Sequence, residues 1–141
     1  MWSVLSRFSE ASAIFGNDLA TLPSYPAEIR APAGSVAGVS SFQVHIADSD
    51  ILTPGDNPDV LVAMNPETAR EDVLNLPAGA AAVYDEPLKL NELRSDLHFY
   101  PVPFDKLVAP VCPDAKLRKL VRNMIYDGVV AWLLSIDMDE I

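Results

Sequence analysis

Two short apolar runs, joined by a segment that opens with Asn-Pro, constrain the fold of this chain more than any other feature. The runs are residues 60–64, Val-Leu-Val-Ala-Met, and residues 80–84, Ala-Ala-Ala-Val-Tyr. Uninterrupted apolar runs of this length are typical of strands that are buried on both faces of a parallel sheet. Fifteen residues, 65–79, connect them, which is enough for a crossover between parallel strands.

The connecting segment has the signals of a helix. Asn65 is suited to the N-cap and Pro66 to the first helical position. The helix is predicted to extend to about residue 76, since Pro-Ala-Gly at 77–79 ends it. These signals predict a right-handed strand–helix–strand unit.

Weaker patterns surround this unit. Residues 23–34 predict a short extended piece followed by a loop, and Thr-Pro-Gly-Asp at 53–56 predicts a turn. Residues 41–47 alternate as a half-buried strand does, and residues 98–103 predict an edge strand because they contain two prolines. Helices are predicted over residues 2–15 and from Asp114 onward, and the wide apolar stripe of the second predicts substantial burial. We expect a three-layer α/β fold with a mostly parallel, Rossmann-like sheet, as a single domain over residues 1–141.

Composition excludes several functions. Ten Lys and Arg against twenty Asp and Glu give a net charge of −10, which argues against nucleic acid and anionic membrane surfaces as partners. No apolar stretch approaches the 18 residues of a membrane span. The single cysteine, Cys112, excludes an internal disulfide, so we expect a reducing compartment, the cytoplasm.

Candidate catalytic groups are few. His45 and His98 have no metal-ligand neighbour at a useful spacing, so partly exposed or hydrogen-bonded strand positions explain them. Asn65 lies where α/β folds bind ligands, at the carboxyl end of a parallel strand. Capping explains Asn65 as well, since Glu67 in the first helical turn would oppose a bound phosphate. Three acidic pairs are interpreted as solvated turns rather than cation sites: Asp48 with Asp50, Asp56 with Asp59, and Asp85 with Glu86.

Five runs taken together resemble one family. They are FGNDLATLP at 15–23, PAEIRAPAG at 26–34, DILTPGD at 50–56, DVLVAMNP at 59–66 and RNMIY at 122–126. The joint pattern is similar to the gamma domain of the 2-oxoacid:ferredoxin oxidoreductases, especially the 2-oxoglutarate enzymes, and it covers roughly residues 6–138.

The resemblance implies a part in the oxidative decarboxylation of a 2-oxoacid onto coenzyme A, which yields acyl-CoA, CO₂ and reduced ferredoxin. Thiamine diphosphate with Mg²⁺, and the iron–sulfur clusters, would be held by thiamine-binding and ferredoxin-type domains or subunits of a heteromeric complex. The gamma domain would pack on those partners, help admit coenzyme A and be inactive alone. One cysteine agrees with this division, since a four-iron cluster needs several thiolates.

Coenzyme A would contact this domain through a small set of residues. Arg30 is the first candidate, because a guanidinium suits a diphosphate or a 3′-phosphate. The backbone at Gly34 and Ser35 would approach the ligand closely, and Asn65 completes the set. The alternative for Arg30 is an ion pair with an acid such as Glu28 or with a partner subunit.

The chain departs from the family pattern at its start. The family domain opens with a buried strand and a Gly-rich turn, whereas Met1 falls where that turn should end. We therefore expect an N-terminally truncated sheet, with lower stability or dependence on partner chains. Two other functions remain open: an inactive, truncated interaction module without catalysis, and a stand-alone α/β protein that binds a small nucleotide.

Overall fold

The computed structural model describes residues 18–24, 41–53, 55 and 57–136. These residues fall into two compact units, one within residues 9–55 and one within residues 56–141. The predicted helix at 2–15 lies outside the described residues, as do residues 25–40. Among the helices of the described part, none has the length and apolar character needed to cross a membrane.

The first unit contains a two-stranded antiparallel sheet. Strand β1 (Asp18–Ser24) pairs with β2 (Ser41–Ala47), so that Leu19 lies opposite Ile46. The prediction of a strand at 41–47 is confirmed to the residue. Strand β1 was not predicted over its whole length, since the sequence placed an extended piece only from residue 23. Each strand of a two-stranded sheet is an edge, which is where a proline such as Pro23 is tolerated.

The segment after β2 folds back onto that strand. His45 Nδ1 donates a hydrogen bond to the carbonyl oxygen of Thr53 at 3.1 Å, and Gln43 Nε2 donates to the carbonyl oxygen of Gly55 at 3.4 Å. Gly55 has a φ of +79°, which glycine adopts without strain, as expected for the predicted turn. The expectation of a half-buried, hydrogen-bonded His45 is confirmed.

The second unit is built on a parallel sheet in the order β3–β4–β5. Its strands are β3 (Val60–Ala63), β4 (Ala81–Asp85) and β5 (His98–Val102). Helix α1 (Ala69–Leu74) connects β3 to β4, and two 3-10 turns, Glu86–Leu88 and Leu90–Glu92, follow β4. Helices α2 (Phe104–Val111) and α3 (Arg118–Leu133) follow β5. The predicted crossover is confirmed, with Val60 opposite Ala81 in parallel register.

Successive residues of the strands enter two different cores, which explains the uninterrupted apolar runs. Ala82 and Tyr84 pack in one cluster with Val73 of α1. Val83 packs in the other cluster with Phe104 of α2 and Tyr126 of α3. Because strand side chains alternate between faces, the sheet is the middle of three layers, as predicted.

A single arginine fixes the end of α1. Arg94 Nη1 donates to the carbonyl oxygens of Val73, Leu74 and Leu76 at 3.2, 3.2 and 2.6 Å. Its Nε and Nη2 donate to both carboxylate oxygens of Asp96 at 2.9 and 2.6 Å. Hydrogen bonding from Arg94 holds the pKa of Asp96 below its usual value. The loop before β5 therefore supplies a basic group at the carboxyl end of α1, whose own last turn contains none.

Three features of the C-terminal half differ from expectation. Helix α2 was not predicted. Helix α3 begins later than predicted, at Arg118 with Leu117 as its N-cap, and Asp114 Oδ1 accepts the N–H of Lys116 at 2.9 Å in the turn that precedes it. The expected burial of α3 is wrong in part: Tyr126 is buried, but Leu120 and Trp132 are 62% and 73% exposed.

Candidate functional site

The carboxyl ends of the three parallel strands meet at one edge of the sheet. Asn65 follows β3, Asp85 ends β4, and Phe104 opens α2 just after β5. In open α/β sheets, ligands bind outside this edge. The side chains that meet here define the candidate site.

Arg122 of α3 contacts two acidic side chains at this edge. Its Nη2 donates to Asp85 Oδ2 at 2.5 Å, and its Nη1 lies 3.7 Å from Asp105 Oδ1. The guanidinium lies over the Phe104 ring, 5.2 Å from its centre, at a distance typical of cation–π attraction. The Asp85 side chain is only 13% exposed, so its charge depends on Arg122 for compensation.

The interpretation of Asp85 and Glu86 as a solvated turn is therefore wrong for Asp85. The sequence shows two adjacent acidic residues at the end of a strand. It does not show that helix α3 places Arg122, which is 37 residues further along the chain, against Asp85. Glu86 lies in a more exposed pair, with Lys106 Nζ at 3.1 Å from its Oε2.

Tyr126, one turn beyond Arg122, connects α3 to the end of β3. Its ring stacks on Phe104 with centroids 3.9 Å apart and planes inclined by 28°. Its hydroxyl donates to the carbonyl oxygen of Ala63 at 3.2 Å. Burial raises the pKa of Tyr126, partly opposed by Arg122, so the hydroxyl keeps its proton at neutral pH. Helix α3 is thus attached to the carboxyl ends of both β3 and β4.

A groove of about 380 Å³ opens beside this cluster and is lined by Asp105, Val108, Arg118 and Arg122. Arg118 Nε donates to the carbonyl oxygen of Cys112 at 3.1 Å, and this hydrogen bond orients the Arg118 guanidinium. Among these lining residues there is no nucleophile paired with a base. Two guanidiniums and a carboxylate suit binding and positioning rather than proton transfer.

Of the four residues predicted to contact coenzyme A, the structure places one at this edge. Asn65 Oδ1 accepts the N–H of Glu67 at 3.0 Å, and the Asn65 carbonyl accepts the N–H of Ala69 at 3.0 Å. Asn65 therefore starts the turn that leads into α1, but the prediction of Asn65 as the N-cap and Pro66 as the first helical residue is wrong, since α1 begins at Ala69 with Thr68 as its N-cap. Arg30, Gly34 and Ser35 lie outside the described residues.

Replacing Asn65 with alanine should lower the free energy of unfolding by about 1 kcal/mol, because the N–H of Glu67 loses its acceptor. Asn65→Asp should restore most of the loss, since a carboxylate oxygen accepts the same bond. Asn75→Ala, at the exposed other end of α1, is the matched control and should change stability by less than about 0.5 kcal/mol. Urea denaturation measures all three. Equal losses for Asn65→Ala and Asn75→Ala would show that the bond from Glu67 to Asn65 Oδ1 does not stabilise the fold.

The remaining candidates lie away from the edge. His98 is exposed at the start of β5, at the opposite end of the strands. Cys112 is buried, and its Sγ donates to the carbonyl oxygen of Asp114 at 3.4 Å. Within the described ranges, no three His, Cys, Asp or Glu side chains come together as a metal site would require.

Sequence reasoning missed Arg122 and Tyr126 as members of the site. Both lie in the run at 122–126 that was quoted for the resemblance, but no chemistry was assigned to them. The available signal was their spacing, since residues four apart on a helix share one face and therefore point toward the same sheet edge.

Comparison with known proteins decides the family. Residues 5–141 match the sequence model of the pyruvate ferredoxin/flavodoxin oxidoreductases. The chain belongs to this family. It is also 40% identical, over 154 aligned residues, to the 2-oxoglutarate oxidoreductase subunit KorA of Mycobacterium tuberculosis (strain ATCC 25618 / H37Rv). That alignment covers 95% of this chain but only 23% of the mycobacterial protein. The chain therefore spans about a quarter of the length of the relative it matches. The resemblance inferred from the sequence is confirmed.

Proposed function

We propose that residues 1–141 form one gamma-type, non-thiamine-binding domain or subunit of a 2-oxoacid:ferredoxin oxidoreductase. The assembled enzyme converts a 2-oxoacid, with 2-oxoglutarate as the favoured substrate, and coenzyme A into acyl-CoA, CO₂ and reduced ferredoxin. The observation that carries this proposal is the family match over residues 5–141, supported by identity to a subunit named for 2-oxoglutarate oxidation. We place the complex in the cytoplasm, since a chain with one cysteine suits a reducing compartment.

The redox cofactors belong to partner chains in this proposal. Thiamine diphosphate with Mg²⁺ supplies the carbanion chemistry, and iron–sulfur clusters carry the electrons. The residues of this chain do not fit a cluster, because Cys112 is its only thiol and a four-iron cluster takes four. The chain contributes binding surface instead, and we expect it to be inactive without its thiamine-binding and ferredoxin-type partners.

The part of this domain in the reaction is to help admit coenzyme A. The carboxyl edge of the sheet supports this role, since ligands of α/β folds bind there and Asn65 lies there. The Asn65 carbonyl oxygen and Oδ1 accept backbone N–H groups, so its amide nitrogen, a donor, is the group that suits a phosphate oxygen. Arg30, Gly34 and Ser35 complete the proposed contact set.

Purification of the tagged chain from its own organism tests the proposal. We expect it to bring thiamine diphosphate-containing and iron–sulfur chains, and the complex to reduce ferredoxin only with both 2-oxoglutarate and coenzyme A present. A chain that purifies alone would contradict membership of such a complex. A stable complex with no activity on any 2-oxoacid would instead favour the inactive interaction module.

Arg30→Ala should raise the KM for coenzyme A of the assembled enzyme about tenfold or more, because a charge-assisted contact to a phosphate is lost. The KM for the 2-oxoacid should stay unchanged. Arg70→Ala, which removes an exposed arginine of α1, is the control for a simple change in charge. An unchanged KM for coenzyme A in Arg30→Ala would exclude Arg30 from the contact set.

A further inference from the structure

The groove between α2 and α3 contains two guanidiniums whose partners differ. Arg118 and Arg122 are four residues apart on α3, so both side chains leave the same face of the helix. The groove that they line has a volume of about 380 Å³, within the range of about 300–1,000 Å³ that is usual for small-molecule pockets. Asn65, the one described residue of the proposed coenzyme A contact set, does not line this groove. The groove is therefore a separate candidate site.

Arg118 has no carboxylate partner in the part of the chain that the structure describes. Its Nε donates to the carbonyl oxygen of Cys112 at 3.1 Å, and its Nη2 donates to the carbonyl oxygen of Pro113 at 3.5 Å. These backbone contacts orient the guanidinium but do not neutralise its charge. A guanidinium has five N–H donors, so Arg118 keeps donors for a ligand.

Arg122 has two acidic partners of very different strength. Asp85, with a side chain only 13% exposed, pairs with its Nη2. Asp105 Oδ1 lies 3.7 Å from its Nη1, beyond hydrogen-bond distance, and the Asp105 side chain is 87% exposed. A pair this long and this exposed contributes little stability, so a bound anion can displace the Asp105 carboxylate from the groove.

A ligand that contacts both guanidiniums needs several acidic oxygens. A terminal phosphate group has three and a carboxylate has two, and arginine donates pairs of N–H groups to phosphate. We propose that the groove binds a terminal phosphate group between Arg118 and Arg122, and that Asp105 is the carboxylate that this group displaces. The proposal goes beyond the proposed function, because it assigns a ligand to residues outside the coenzyme A contact set.

The net charge of −10 does not prevent phosphate binding in this groove. The Debye length is about 8 Å at physiological ionic strength, so charges in contact with the ligand outweigh distant ones. Once Asp105 has moved away, the contacting charges are the guanidiniums of Arg118 and Arg122, against the single carboxylate of Asp85. The local balance is positive.

An NMR titration of the complete ¹⁵N-labelled chain with inorganic phosphate tests the site. We expect Arg118→Ala to weaken phosphate binding about tenfold or more, because a charge-assisted contact is lost. Asp105→Asn should strengthen binding about threefold or more, because the competing carboxylate is removed. Arg70→Ala, which removes an exposed arginine of α1, is the control for a simple change in charge and should leave the affinity unchanged.

Circular dichroism reports whether each variant keeps the fold. Arg118→Lys is the milder variant should alanine disturb the turn before α3, and it keeps the charge but loses the planar fork of donors. Its affinity for phosphate should fall between those of the unsubstituted chain and Arg118→Ala.

Competition identifies the source of the phosphate group. Displacement of inorganic phosphate by coenzyme A, but not by 3′-dephospho-coenzyme A, would assign the groove to the 3′-phosphate of that substrate. Phosphate binding that neither compound displaces would assign it to a free phosphate or another phosphate monoester.

Phosphate that does not bind, or that binds Arg118→Ala as tightly as the unsubstituted chain, overturns the proposal. Unchanged binding in Asp105→Asn overturns the displacement of that carboxylate. Each of these results leaves the proposed function intact, since that function fails only when the chain purifies without partner subunits or the complex oxidises no 2-oxoacid.

Discussion

Phe104→Ala is expected to lower the free energy of unfolding by about 3–5 kcal/mol, the usual cost of removing a fully buried phenylalanine. Phe104 is completely buried. Its ring stacks on Tyr126 and lies beneath the Arg122 guanidinium, so the substitution removes an aromatic pair and a cation–π contact together with apolar area. The side chains around Phe104 belong to the sheet on one side and to two helices on the other. None of them can take the place of the lost ring.

Urea denaturation followed by circular dichroism measures the loss, and Leu107→Ala is the matched control. Leu107 lies on the same helix α2 but is 45% exposed, so its truncation should cost less than about 1 kcal/mol. Phe104→Leu should fall between the two, since leucine fills most of the space without restoring the stacking. A loss below about 1 kcal/mol for Phe104→Ala would show that the cluster does not stabilise the α/β unit.

The strand–helix–strand unit was predictable because its signals are local. Residues 60–64 and 80–84 are apolar at every position, and this is the pattern of a strand with a layer on each face. In the structure those layers are the Val73 cluster and the Phe104 cluster. The start of the helix was predicted too early, at Asn65 and Pro66, because the bond from the N–H of Glu67 to Asn65 Oδ1 belongs to a turn that precedes α1, whose own N-cap is Thr68.

Helix α2 was not predictable by the same means. Pro103 precedes it and Pro110 lies inside it, and prolines at both ends of an eight-residue segment indicate a turn more readily than a helix. What stabilises α2 is tertiary: Phe104 and Val108 are buried, and packing of an apolar face outweighs weak propensity in a short helix.

The candidate site was not predictable from the sequence because its contacts are long-range. Asp85 and Arg122 are 37 residues apart, and the Tyr126 hydroxyl reaches a carbonyl 63 residues earlier. Periodicity shows that α3 has an apolar side, but it does not show which polar residues lie where that side meets the sheet edge. The burial of α3 was overestimated for a related reason, because an apolar pattern predicts that a helix face is buried but does not show which surface covers it.

Arg122→Leu should lower the free energy of unfolding by about 2–3 kcal/mol. Breaking a buried ion pair from one side costs about 3–5 kcal/mol because a charge is left without compensation. Here the Arg122 side chain is 31% exposed, and solvent reduces the cost. Most of the loss comes from the Asp85 carboxylate, which is 13% exposed and would lose the guanidinium that pairs with it.

Double-mutant cycles separate this pair from the general effect of removing charges. Asp85→Leu with Arg122→Leu should lose less than the sum of its single variants, with a coupling energy of about 1–3 kcal/mol. The pair of Glu86 and Lys106 is the control: it also connects the end of β4 to a helix, but its side chains are 51% and 78% exposed. Its cycle should give a coupling energy below about 1 kcal/mol.

The two cycles also bear on how the sheet edge is held. Asp85 ends β4, and Arg122 is one turn from Tyr126, which contacts the end of β3. If the buried pair couples strongly, α3 fixes the carboxyl ends of two strands relative to each other, and a ligand bound at that edge meets a preformed surface. Equal coupling in both cycles would mean that the Asp85–Arg122 pair is no stronger than an exposed one, and that packing around Phe104 and the hydrogen bond from Tyr126 to Ala63 position α3.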